Sequence, residues 1–357
     1  MKTVTAWILA LTAVSTMGLA KGPVKVVTTL PDYASIARSL GGDLVRAESI
    51  AKGYQDAHFV SAKPSFARLL SDADLFVSTG LDLELWAPTL VDKSRNPTIR
   101  EGRPGYVSAA SGMRLLDIPA NPNRAAGDIH IYGNPHVHTD PLRGLQIASN
   151  ILTGLKNVDP AHSAQYEENF AAFKEETYKR LYGEELVRTV GGDELARLSW
   201  AGQFDSFLDA NQFAGKPLRS YLGGWLKQAE CLNGAEIVAY HKNWIYFTDR
   251  FGLRILDYVE NKPGIPPSAR HVVELIEEIR SRKISALLTA NYYDESAPKR
   301  IEEQTGAQAV IVPLSVGGTP EAADYWDLFD IWIRELSASI PACSQQGPST
   351  AGEAPKR

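Results

Sequence analysis

The segment YGNPHVHTDP, residues 132–141, holds His136 and His138 two apart, with His130 just upstream. Imidazole is the commonest protein ligand for transition metals near neutral pH, so histidines gathered in a loop raise the question of coordination. On a strand, residues two apart face the same side and both rings could chelate one ion. Here Pro135 precedes His136, and Thr139-Asp140-Pro141 follows His138, which signals a turn and a helix start. A two-ring chelate within this segment is disfavoured, so partners for its rings must come from elsewhere in the chain.

The chain has seven histidines, and their local settings sort them. His241 ends the strand-like AEIVAYH and precedes the helical WIYFTDRFG. That is the carboxyl end of a strand, where open α/β sheets place their ligands. His58 sits in GYQDAHFVSAKPS, a Gly-containing loop after the second strand candidate, also on the carboxyl-terminal side. His162 follows Asp159-Pro160 at a helix start and His271 lies within SARHVVELIEEI, so both read as ordinary helix residues. His130 stands in a segment, 115–135, rich in Pro, Asn and Gly, and nothing local assigns it a role. Loops carrying His58, His136/His138 and His241 are the ones able to converge.

The elements that must position them alternate strand and helix. PVKVVTTL (23–30), LVRAESI (44–50) and DLFVSTG (74–80) read as strands, with helices over 31–42 and 83–94. DPLRGLQIASNILTGLKNV (140–158) starts at Asp140 as N-cap, and residues 162–186 form one long charged helix suited to a rigid spacer. After a stretch of short helices (187–230), four more strand candidates follow: 235–241, 254–260, 284–290 and 307–313. The alternation predicts two similar parallel-sheet α/β lobes facing a cleft. The expected organisation is a signal peptide (1–20), a first lobe (21–158), the linking helix with a helical insertion (159–230), a second lobe (231–343) and a tail (344–357).

Length and composition agree. The chain has 357 residues, 44% hydrophobic and 22% charged, enough for two domains with proper cores. MKTVTAWILALTAVSTMGLA has the charge, apolar run and small residues of a cleaved secretory signal, with no nearby cysteine for a lipid anchor. A formal net charge of −5 argues against nucleic acid or an anionic membrane surface as partner. Cys231 and Cys343, the only cysteines, are able to pair in an oxidising compartment, and neither has the surroundings of a nucleophile.

The stretches QDAHFVSAKPSFARLLSDADLFVSTGLDLELW (55–86), GNPHVHTDP (133–141), VAYHKNWIYFTDRFGL (238–253) and EEQTGAQAVIVP (302–313) together resemble the periplasmic solute-binding proteins of zinc and manganese ABC importers, the ZnuA/TroA/PsaA-like family. The resemblance implies two α/β lobes joined by a long rigid helix, with metal in the inter-lobe cleft. It implies His58, His136 and His241 as ligands and His138 as a bystander. It further implies delivery to an ABC permease in the inner membrane, a periplasmic location and a monomer. Two features depart from the family. VPLSVGG (312–318) lacks the acid that often supplies a fourth ligand there, leaving water or NYYDES as the source, with Asp294 before Glu295. The histidine-rich loop common before the second motif is also reduced to His130.

Three neutral imidazoles favour Zn2+ over Mn2+, which prefers oxygen-rich sites; Cu2+ would bind them more tightly still, so geometry and supply decide. Because ligand rings must be deprotonated, binding is expected to weaken at low pH. The alternative reading is a secreted three-histidine zinc hydrolase, with a metal-activated water. It requires a general base, for which only Asp56 and Asp294 are near, and no His-Glu-x-x-His motif is present. A third class is a structural or adhesin-like exported protein in which the metal only locks the lobes.

Overall fold

The computed structural model describes residues 22–119, 130–260 and 265–344. The signal segment, Lys262 to Gly264 of the proline-rich loop and the tail beyond Ser344 lie outside the described residues.

The first lobe runs β1 (Val24–Thr28), α1 (Pro31–Gly41), β2 (Val45–Ser49), α2 (Pro64–Ser71), β3 (Leu75–Ser78), α3 (Ala87–Ser94) and β4 (Tyr106–Ser108). Its parallel sheet has the order β2-β1-β3-β4. Pro31 presets the helical φ at the start of α1, and Tyr33, Ile36, Ala37 and Leu40 bury one face on the sheet. Strand β4 is short and carries only Val107 as a buried apolar residue, so it lacks a sequence signal of its own.

Helix α4 (Pro141–Val158) begins as the sequence predicts: Asp140 is its N-cap and accepts from the Leu142 amide at 3.0 Å. The spacer α5 (Ser163–Tyr182) stops four residues earlier than expected. Gly183 has φ 88°, and a Cβ there would stand 2.5 Å from the Gly223 Cα, so the chain must turn and α6 (Glu184–Val190) follows separately. At 20 residues α5 is about 30 Å long. It touches the first lobe through Asn169, which donates to the Leu40 carbonyl at 2.8 Å, and the far side of the molecule through Phe173 stacked on Trp326 and Arg180 paired with Asp330.

The insertion holds α7 (Gly192–Trp200), α8 (Phe204–Ala210), a two-stranded hairpin of β5 (Gln212–Phe213) and β6 (Lys216–Pro217), and α9 (Gly224–Gln228). The second lobe comprises β7 (Glu236–Ala239), α10 (Ile245–Phe251), β8 (Arg254–Tyr258), α11 (Ala269–Arg282), β9 (Ala286–Ala290), α12 (Ser296–Thr305), β10 (Gln308–Val312), α13 (Tyr325–Ser339) and a last turn α14 (Pro341–Ser344). Its sheet order, β8-β7-β9-β10, repeats the succession of the first sheet, and all its pairings are parallel. The expectation of two similar parallel-sheet lobes is met.

The lobes are not loosely tethered. One apolar cluster runs from β1 and α1 through α4 and α5 to β7, β9 and α13, and includes Val137 beside the histidine pair. Cys231 and Cys343, 112 residues apart, form a disulfide that ties the entry of the second lobe to α14.

Candidate metal centre

His58 lies in a one-turn 3-10 helix, Ala57–Phe59, after β2. Asp56 caps this turn: its Oδ1 accepts from the His58 backbone amide at 2.9 Å and faces the ring Nδ1 at 2.6 Å. His136 follows Asn134-Pro135. The Asn134 Oδ1 accepts from the His136 amide at 3.0 Å and from its Nδ1 at 2.9 Å, while the Asn134 Nδ2 donates to the Lys242 carbonyl at 2.7 Å. His241 stands two residues past β7, and its Nδ1 faces the Glu260 carbonyl at 3.3 Å. All three rings therefore present Nδ1 to an oxygen acceptor. This fixes the proton on Nδ1 and leaves Nε2 as the lone-pair nitrogen, the arrangement that orients metal-binding histidines.

The rings gather from both lobes. His58 lies 5.4 Å from His136 and 6.1 Å from His241 between ring centres. His130, which the sequence left unassigned, joins them: its ring is 5.2 Å from His58 and 5.9 Å from His136. The Nε2 atoms of His58 and His130 are 3.2 Å apart. Two nitrogens bound to one tetrahedral zinc are about 3.3 Å apart, given Zn–N bonds of ~2.0–2.1 Å. The Nε2 of His241 is buried and has no partner. Among the described residues no set of three or more His, Cys, Asp or Glu side chains stands in a closed coordination geometry. The four rings form a cluster whose Nε2 atoms have not all been drawn to one point.

Burial keeps the imidazoles of His130, His136 and His241 neutral. It pushes His130 down to about 3 and His241 to about 4, with the neighbouring His58 adding to both, and it holds His136 well below the ordinary imidazole range. Asp56 remains ionised: burial raises its carboxyl, but the hydrogen bonds and charge of His58 outweigh this and hold it below the usual carboxylate range. A neutral nitrogen-rich centre with a carboxylate behind one ring suits a divalent transition cation.

The loop bearing His136 is pinned to the second lobe by a buried ion pair. Arg250 of α10 binds both oxygens of Asp140 at 3.0 Å through Nε and Nη2, and Arg143 reaches the same carboxylate at 2.5 Å. Arg143 also lies 4.3 Å over the Tyr246 ring. Tyr325 donates to the carbonyl of His138 at 2.7 Å, which anchors the other side of the loop.

Three sequence expectations change here. Asp294, expected as fourth ligand, is not brought to the cluster: its carboxylate is exposed and accepts from the Ser296 amide at 2.9 Å and from the Ser296 hydroxyl, capping the start of α12. Glu295 is exposed as well and pairs with Lys299 at 2.5 Å. From that same loop Tyr292 and Tyr293 face the centre instead, Tyr293 lying 6.3 Å from His241. Second, His138, read as a bystander, is a buried residue. It is 1% accessible, its ring nitrogens have no partner, and it lies 6.2 Å from His136. Third, His130 enters the cluster; its only advance signal was being the one histidine in the approach loop. Of the two bases considered for a hydrolase, Asp56 is engaged by His58, and Asp294 is exposed and engaged by Ser296.

Residues 26–180 and 222–339 match the family described as "ZnuA: Zinc-uptake complex component A periplasmic", and the chain belongs to that family. The iron-binding protein YfeA of Yersinia pestis is 25% identical over 287 residues, 80% of this chain and 75% of that one. The zinc-binding lipoprotein AdcA of Streptococcus pneumoniae is 22% identical over 354 residues, which is 97% of this chain but 61% of AdcA's own length. Among solved structures, a zinc-bound ZnuA deletion mutant superposes with a TM-score of 0.64 at 19% identity, covering 89% of this chain and 98% of that one, and shares the fold. No helix among the described residues is long and apolar enough to cross a membrane.

Proposed function

We propose that this protein captures a divalent transition metal, zinc in the first place, between its lobes and delivers it to an ABC-type permease in the inner membrane. His58, His136 and His241 are the ligands, and His130 completes a four-imidazole set in place of the acid absent from VPLSVGG (312–318). The observation that carries this reading is the uniform backing of the three rings by Asp56, Asn134 and the Glu260 carbonyl, which turns each Nε2 toward the space between the lobes. Four neutral nitrogen donors match zinc in number and softness and suit manganese poorly. Asp294 and Glu295 are not retained as ligands.

The protein works without turnover. The rings and their hydrogen-bonded backing bind the ion, the continuous core limits how far the lobes part, and release requires the second lobe to withdraw His241. The exported segment and family membership support a periplasmic location. Zinc titration of purified protein against a competing chelator, with manganese and copper in parallel, tests the reading. Stoichiometric binding with zinc held more tightly than manganese is expected; absence of tight binding of any of the three ions would refute it.

A further inference from the structure

The geometry points to Asn243 as an affinity-setting residue that masks the metal-binding nitrogen of His136 in the metal-free protein. This inference rests on the assignment of His136 as a ligand. Asn243 lies in the turn between β7 and α10 and is completely buried. Its Nδ2 is 3.2 Å from the His136 Nε2 and 3.3 Å from the Tyr292 hydroxyl, and its Oδ1 accepts from the Tyr293 hydroxyl at 3.4 Å. The contact to His136 crosses between the lobes, whereas the other two lie within the second lobe.

The polarity of that contact is fixed by the hydrogen bonds around it. Asn134 donates its Nδ2 to the Lys242 carbonyl, so its Oδ1 is the atom facing His136, and it also receives the His136 backbone amide. The His136 Nδ1 therefore carries the ring proton and Nε2 holds the lone pair. An amide facing that lone pair must present nitrogen, because the opposite orientation would set two acceptors against each other. The same lone pair is the one a metal requires, and it cannot serve both. Entry of the ion breaks the Asn243–His136 hydrogen bond, and the amide must turn or withdraw.

Two consequences follow for a carrier that must release its cargo. The hydrogen bond stabilises the metal-free state and so weakens net affinity. It also gives the His136 lone pair a partner as the ion departs, so this nitrogen is not left a bare buried acceptor. A net hydrogen bond of ordinary strength corresponds to about a two- to tenfold difference in a binding constant.

The test uses the full protein and zinc alone as probe. Zinc affinity is measured by chelator competition for the parent, Asn243→Ala, Asn243→Ser and His136→Ala, together with the imidazole 15N shifts of the metal-free proteins. Asn243→Ala is expected to bind zinc about two- to tenfold more tightly than the parent, and the His136 Nε2 signal should move downfield while the His241 signal stays in place. Unchanged or weaker binding in Asn243→Ala, or an unmoved His136 signal, overturns the inference. If the alanine variant does not fold, Asn243→Ser, which keeps a smaller polar group, decides by the same two readouts. His136→Ala separates the two levels: if it binds zinc as the parent does, the ligand assignment itself has failed, whatever Asn243 shows.

Discussion

The two lobes share a strand order and differ in what they bring to the centre. The first lobe and its extension provide His58, His130 and His136, with Asp56 and Asn134 as side-chain supports. The second lobe provides one ring, His241, backed by a backbone carbonyl at 3.3 Å, together with Asn243, Tyr292 and Tyr293. A duplicated architecture has thus been loaded unequally. In the proposed ligand set, the first lobe is a half-site of three rings, and the second closes the shell with the fourth. Fold repetition fixes where ligands emerge, at the carboxyl ends of the strands, but the loop sequences decide how many do.

The sharpest way to break this asymmetry is to remove one ring from each side. His136→Ala is expected to lower zinc affinity by a hundredfold or more, and His241→Ala by less, because three rings of the first lobe remain; isothermal titration with chelator competition ranks them. Equal losses would argue for a symmetric clamp. The supports come next. Asp56→Ala leaves His58 present but unoriented, and a 10- to 100-fold loss of affinity is expected, the usual range for such outer residues.

The Asp140–Arg250 pair is the corresponding test of the frame. Asp140→Ala strands two buried guanidinium groups and is expected to destabilise the protein by about 3–5 kcal/mol in denaturant unfolding. Conversion of Asp140 to an apolar residue without that loss would show the pair to be dispensable to the frame.

The effect of pH follows from the buried rings. In the unfolded chain these histidines take up protons near pH 6.5, whereas in the fold His241 does so only near 4 and His130 near 3. The unfolded state binds more protons across that interval, so stability of the metal-free protein falls as pH drops below about 6.5. Thermal melts at pH 7 and 5 should show a lower Tm at pH 5 without metal and a smaller drop with zinc bound. The share of the affinity loss on acidification that comes from His130 and His241 is expected to follow their lowered values, below the ordinary imidazole range. The smallest effect is reserved for Asp294→Ala, which should leave zinc affinity unchanged because that carboxylate only caps α12.

Much of this was legible in the sequence. Period and turn signals located seven of the eight strands of the two parallel sheets, and Asp140 announced the start of α4. The position of His58, His136 and His241 after strands marked three loops whose rings the fold brings together. What escaped has physical causes. Gly183 ends the spacer because its neighbour's backbone comes too close for a side chain, and that approach is a tertiary fact. Asp294 sits in the correct loop, yet the sequence Asp-x-Ser favours a local capping turn, which claims the carboxylate before a metal can. His130 lies in a segment without periodicity, so only the folded chain reveals its approach to His58. Asn243 carries no motif at all, and its role depends on a contact 107 residues away.

The central claim is a centre of imidazoles drawn from both lobes. Zinc K-edge X-ray absorption on protein loaded with one equivalent tests it most directly. The account predicts four imidazole nitrogens at ~2.0 Å in the parent, falling to three in His241→Ala. A shell of two or fewer imidazoles, or a parent spectrum unchanged by His241→Ala, would contradict it.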